Sequence, residues 1–205
     1  MGCDIHGAVE ATTEGSSYWR YVVNVGSVVG RSYDTFGAVW GVRNYGMFEP
    51  AFANRGFPDE LSLSTKAELQ SWGGDDYRNE LGRLDFHSAS WATMDEMHAL
   101  DWDESADDLD HRISILDENK TPTGSKAGGF GPASGWYEIL EDDDARAALD
   151  RGEPVPNESG TRYIQRRQLT RRDALSPAWE WLIWTMMPAI GERYDDVRMV
   201  VWFDN

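Results

Sequence analysis

An α+β fold in one domain, 1–205, with a mainly antiparallel sheet that includes both terminal strands, is what this sequence predicts, on three observations. The first ten residues alternate with a two-residue period, Cys3, Ile5, Gly7 and Val9 against Asp4, His6, Ala8 and Glu10, as a half-buried strand does. Val197 to Phe203 is β-branched and aromatic, which predicts a second strand at the other end of the chain. Between them, helical spacing recurs at about 33–43 and 177–190, giving two helices to cover the sheet.

The elements follow in order. Thr13 to Ser17 reads as a turn around Gly15, and Tyr18 to Val25 is a strand hairpinned to the first. Tyr33, Phe36 and Trp40 mark a helix that Ser32 caps, with Gly37 and Gly41 permitting close approach. Residues 44–60 form an ordered loop whose Phe48, Phe52 and Phe57 are buried. Thr65 with Glu68 predicts a capping box for a helix that stops near Gly73 and Gly74, and Thr93 with Glu96 predicts another. The segment His87 to Trp91 is then expected at the start of the second helix, its amides facing any anion placed there. Asp101 to Asp110 reads as a solvated acidic stretch. Arg112 to Leu116 and Trp136 to Leu140 are short strands, and Thr121 to Gly135 is a mobile loop between them. Glu141 to Asp144 opens a helix that Gly152 stops, and Arg162 to Leu169 is another strand. Ser176 caps and Pro177 opens the most apolar helix, which Gly191 ends.

Composition limits the function. The chain carries 36 acidic and 19 basic residues, a formal net charge of -17, and only three of the basic residues are lysines. Such self-repulsion is screened in molar salt, where the Debye length falls to about 3 Å, so an Asp-rich, Lys-poor surface points to a halophilic host. Sequence-independent binding to duplex DNA is not expected, because that affinity comes from Lys and Arg neutralising phosphates. No apolar stretch is long enough to span a bilayer and no signal peptide opens the chain, so no membrane partner is expected and the expected location is the host cytoplasm or a virion. Arg162, Arg166, Arg167, Arg171 and Arg172 run against the acidic trend and read as internal counterparts to acidic segments such as Asp142 to Asp144, with nucleic-acid contact the other reading.

Met1-Gly-Cys-Asp-Ile-His6, His87-Ser-Ala-Ser-Trp91 and Asp196-Val-Arg-Met-Val-Val-Trp-Phe-Asp-Asn205 together resemble a family of phage and prophage proteins of unknown activity. Arg31-Ser-Tyr33 with Phe36, Gly41-Val-Arg-Asn44 and Arg55-Gly-Phe-Pro-Asp59 fit the same family in order. Its middle motif usually reads His-Ser-His-Ser-Trp, and Ala89 stands here in place of the second histidine. The likeness is weak over about 101–175, which reads as an elaboration of this chain's own. What the resemblance implies is a viral accessory protein, without a mechanism.

The chemistry rests on a short set of polar residues. Asp4 and His6 share a strand face, and a carboxylate with an imidazole suits a divalent metal or acid–base work. Asp4-Ile-His-Gly7 is similar to the first motif of calcineurin-like metallophosphoesterases, but Gly74-Asp-Asp-Tyr-Arg78 is a poor second motif and the later histidine motifs are absent. With the terminal strands adjacent, Asp4, His6, His87 and Asp204 would form a metal set, with His6 and His87 the catalytic candidates; Asp85 is a neighbour for His87. Arg31, Arg43, Arg55 and Arg198 suit an anionic or nucleotide-like ligand through bidentate contacts. Each also reads as an ordinary ion-pair partner in so acidic a chain. Cys3, the only cysteine, has Asp4 beside it, which raises its pKa and speaks against a nucleophile.

Three functions follow. The first is a viral accessory protein binding a small anionic or nucleotide-like ligand in a polar cleft. The second is a metal-assisted phosphoester hydrolase, with a divalent metal on the four-residue set. The third is a structural or interaction protein of the virion, its ten tryptophans forming a core and a surface for a protein partner.

Overall fold

The first and last strands pair with each other along their length. The computed structural model describes residues 2–77, 86–127, 141–156 and 163–204. Strand β1 (Ile5–Thr12) lies antiparallel to β8 (Asp196–Asp204), from Ile5 opposite Phe203 to Thr12 opposite Asp196. β2 (Arg20–Asn24) flanks β1 and β3 (Phe86–Thr93) flanks β8, giving an antiparallel sheet in the order β2-β1-β8-β3. The expected α+β fold, with both terminal strands in one sheet, is what the chain adopts.

β1 is not half-buried as its alternation suggested. Ala8 and Glu10 on the second face are as inaccessible as Val9 on the first, because both faces of the sheet are covered. Over one face lie α1 (Val25–Val29), α2 (Tyr33–Thr35) with the π-helical turn Phe36–Trp40 that continues it, and α4 (Met94–Ala99). A composite helix completes that layer: α6 (Pro177–Trp181), a π-helical turn Leu182–Met186 and α7 (Met187–Gly191). Phe36, Trp40, Trp179, Leu182, Met187, Val201 and Phe203 form its core, each large apolar side chain adding about 1.5–3 kcal/mol. Over the other face lies α3 (Leu63–Gly73), with Leu61, Leu69 and Phe57 against Val200 and Trp202.

Several local expectations change. Ser62, not Thr65, caps α3, accepting from the Thr65 amide, because the Thr65 hydroxyl donates instead to Glu10 at 2.6 Å. The Thr93–Glu96 capping box is present and starts α4, but His87 to Trp91 lies inside β3, paired with β8, and not at the helix start. Ser32 and Ser176 precede their helices without a capping hydrogen bond. Gly37 does allow close approach: a Cβ there would stand 2.8 Å from the Asn44 Cα.

Residues 102–172 carry the second sheet. Its order is β5-β4-β7-β6, all antiparallel, from β4 (Ile113–Leu116), β5 (Pro122–Ala127), β6 (Val155–Pro156) and β7 (Tyr163–Gln165), with α5 (Asp143–Asp150) beside it. The loop expected from Thr121 is therefore a strand over Pro122–Ala127. The Trp136–Leu140 strand, Asp85 and Arg162 lie outside the described residues. Residues 102–110 and 167–172 run antiparallel as a neck between the sheets, joined by backbone bonds such as Ala106 to Leu169 and Arg172 to Trp102. The acidic stretch 101–110 is consequently not simply solvated: Trp102, Ala106 and Asp110 are buried in it.

Candidate functional site

Adjacency of β1 and β8 brings the start of one chain end to the finish of the other. The Asp4 amide donates to Asp204 Oδ1 at 2.9 Å, and His6 Nε2 lies 3.1 Å from Asp204 Oδ2. Burial opposes the charge on Asp204, yet the His6 and Asp4 hydrogen bonds, with the Arg31 charge, hold its carboxyl below the ordinary range. Arg31 grips Asp4 through Nε and Nη2, both at 2.8 Å. A Cβ at Gly2 would stand 2.3 Å from the Arg31 guanidinium, which would have to shift to admit it. Gly7 is needed for the strand pairing: its φ is 141° and a Cβ would strike the Val200 carbonyl at 2.1 Å.

The strand period separates the expected metal set. His6 shares its face with Trp202 and Phe86, whereas His87 stands opposite Phe203 and stacks near it on the other face. Asp4, His6 and Asp204 therefore do not converge with His87, and Asp4 is committed to Arg31. Among the described residues no group of three or more His, Cys, Asp or Glu side chains is placed to hold a metal ion. His87 is thus not brought to the other three residues of the set expected for a divalent metal.

On the first face a different group assembles around Cys3. Its sulfur is 4.0 Å from His87 Nε2, its amide donates to the Tyr33 hydroxyl at 3.1 Å, and the charge of the Arg43 guanidinium acts on the thiol. Burial pushes the thiol pKa up; Arg43 pulls it down, and Asp204 and Asp4 add to the rise. His87 Nδ1 lies 2.8 Å from Ser88 Oγ. Ser88 and Arg43 both hold left-handed backbone, with φ of 54° and 53°, uncommon for residues with a side chain. At Ser88 this coincides with a break in the β3–β8 register.

The arginines divide. Arg31 and Arg43 stand at this end of the sheet, while Arg55 pairs with Glu96 at 2.8 Å and lies over Phe52 and Trp91. Arg198 is buried mid-sheet against Glu10 at 2.8 Å and 3.1 Å. Arg55 and Arg198 thus each have an acidic partner of their own, Glu96 and Glu10. In the basic cluster, Arg171 pairs with Glu104, Arg172 with Asp103 and Arg166 with Asp150, so its counterparts are the neck and the end of α5 rather than Asp142 to Asp144. Sequence reasoning set Cys3 aside and missed Ser88 as a partner of His87; neither the positive φ nor the approach of Arg43 has a signal in residue order. No helix among the described residues is long and apolar enough to cross a membrane. In comparisons with known proteins, no family model, no curated protein and no solved structure matches the chain.

Proposed function

We propose that this is an accessory protein of a virus or prophage of a halophilic host, acting in the infected cell or the particle, and that the sheet end around Cys3 binds a small anionic or nucleotide-like ligand. Arg43 and His87 are the contacting groups; Arg31, fixed by Asp4, adds positive potential, and His6 with Asp204 steadies the terminal strands. The observation that carries this reading is the pair of left-handed residues, Arg43 and Ser88, which bring a guanidinium and an imidazole to one thiol in a chain of net charge -17. Strained backbone concentrates where a side chain must be aimed.

The test is thermal unfolding in molar KCl with inorganic phosphate and a panel of nucleotides. A ligand at a hundred times its dissociation constant adds about 2.7 kcal/mol to the folded state. The expected result is a rise in Tm that Arg43→Gln and His87→Ala abolish and Arg55→Gln leaves intact. Equal shifts in Arg43→Gln and wild type would overturn the assignment. No shift with any anion would favour the interaction protein, which Trp181 and Trp184, 48% and 39% exposed on one helix, support.

A further inference from the structure

Anion binding leaves one group at this end of the sheet unused, the only thiol in the chain. Side chains of successive strand residues normally point to opposite faces. The left-handed Ser88 breaks that rule and brings its hydroxyl to His87 Nδ1 at 2.8 Å. When Nδ1–H is donated to the serine oxygen, the lone pair of Nε2 faces Cys3 Sγ, 4.0 Å away. Nucleophile, base and a group that orients the base thus follow one another, the order that activates a weak nucleophile, and such contacts are commonly loose before substrate binds. Asp4 alone argued against a nucleophile in the sequence; Arg43 and His87 are what the fold adds. Burial raises the thiol pKa, so the pair relies on a base.

We infer that Cys3 is a nucleophile for an acyl ester, with His87 as its general base and Arg43 facing the carbonyl oxygen. This rests on the anion-facing role of Arg43 proposed above. His87 Nε2 takes the proton from Sγ, and the sulfur pair forms a bond to the carbonyl carbon while the carbonyl π pair moves onto oxygen beside the guanidinium. As that pair returns, the carbon–oxygen bond to the alcohol breaks and His87 protonates the departing oxygen. Water then attacks the thioester, His87 receives its proton and returns it to the sulfur, and the net change is ester plus water to acid plus alcohol. Cys3 has no exposed surface, whereas Arg43 and His87 are half-buried, so the sulfur is reached only when the side chains around it move. His6 and Asp204 take no part, since they lie on the other face of the sheet.

A single cysteine makes the test direct. The full chain in molar KCl is treated with p-nitrophenyl acetate, and separately with iodoacetamide, and the mass of the intact protein is followed with time. The expected result is stoichiometric release of nitrophenolate with acetylation at Cys3, absent in Cys3→Ser, and alkylation of the native thiol about tenfold faster than in His87→Gln near neutral pH. Ser88→Ala, which leaves both the nucleophile and the base in place, is expected to slow alkylation less than His87→Gln and serves if the latter fails to fold. A thiol that reacts only after unfolding in urea, or equal alkylation rates in wild type and both variants, overturns the inference. Phosphate-induced Tm shifts in the same wild-type sample separate the two failures: a shift with an inert thiol overturns the nucleophile alone, and no shift removes the binding reading beneath it.

Discussion

Arg198 is buried, with its guanidinium 3.6 Å from the centre of the Trp19 ring and hydrogen-bonded to Glu10 and to the Glu60 carbonyl. Glu10 in turn accepts from the Ser62 amide at 2.9 Å and the Thr65 hydroxyl, so the cap of α3 is tied to the centre of the sheet. Burial lowers the Arg198 pKa while Glu10 opposes the fall. Removing one member of such a pair leaves the other charged in a low-dielectric interior, a loss of about 3–5 kcal/mol. Arg198→Met is expected to lose about that much in urea unfolding, and Glu10→Leu with Arg198→Met to lose clearly less. Equal losses in the single and double variants would show that Trp19 stacking, not the ion pair, carries the effect. His6 and Asp204 were legible as neighbours only on the assumption that the terminal strands pair, and the register with His6 opposite Trp202 is what puts them on a shared face. His87 was not, because its face depends on the register of β3 and the broken φ at Ser88. Arg43 was legible as a candidate by residue type alone, and its nearness to Cys3 depends on the turn after the π-helical segment.

At the scale of elements, the second sheet is fastened to the first by charge. Asp34 of α2 and the buried Asp110 of the neck each accept from Arg112, and each accepts from Lys126 of β5 at 2.7 Å and 2.8 Å. The Arg112 guanidinium also lies over the Tyr45 ring. Burial works against the Asp110 carboxylate, but Arg112 and Lys126 more than offset it and hold its pKa below the ordinary value. A carboxylate with a lowered folded pKa contributes stability that is complete above the unfolded value of about 3.9 and is lost as pH falls through the folded value. Urea stability of the wild type is therefore expected to drop on acidification below about pH 4, and the drop to shrink in Asp110→Asn. An unchanged acid limb in that variant would place the loss elsewhere. Short strands such as Ile113–Leu116 could be read from β-branched residues, whereas Pro122–Ala127 could not. Its Gly, Ser and Pro are turn formers, and only pairing with β4 overrides them.

For the whole molecule, the distribution of charge is what the sequence showed best. The arginines are drawn into pairs with Asp4, Glu96, Asp103, Glu104 and Asp150, leaving the excess of carboxylates spread over the rest of the chain. Screening of that excess is expected to raise Tm progressively from about 0.1 M to 1 M KCl, over which the Debye length falls from about 10 Å to 3 Å. A flat or falling Tm over this range would remove the halophilic reading, and arginine richness would then reflect nucleotide composition.

Placing β8 between β1 and β3 also has a consequence for how the chain is made. Of the described elements β8 is the last to leave the ribosome, yet it forms two of the three ladders of the first sheet. Until it emerges, the β1–β2 hairpin and β3 each offer an unpaired edge, and the apolar side chains meant for Val200, Val201 and Phe203 have nothing to close over. Nascent chains on neighbouring ribosomes present the same edges, so the danger of chains pairing with one another is greatest just before synthesis reaches Asp196 and ends when β8 slots in.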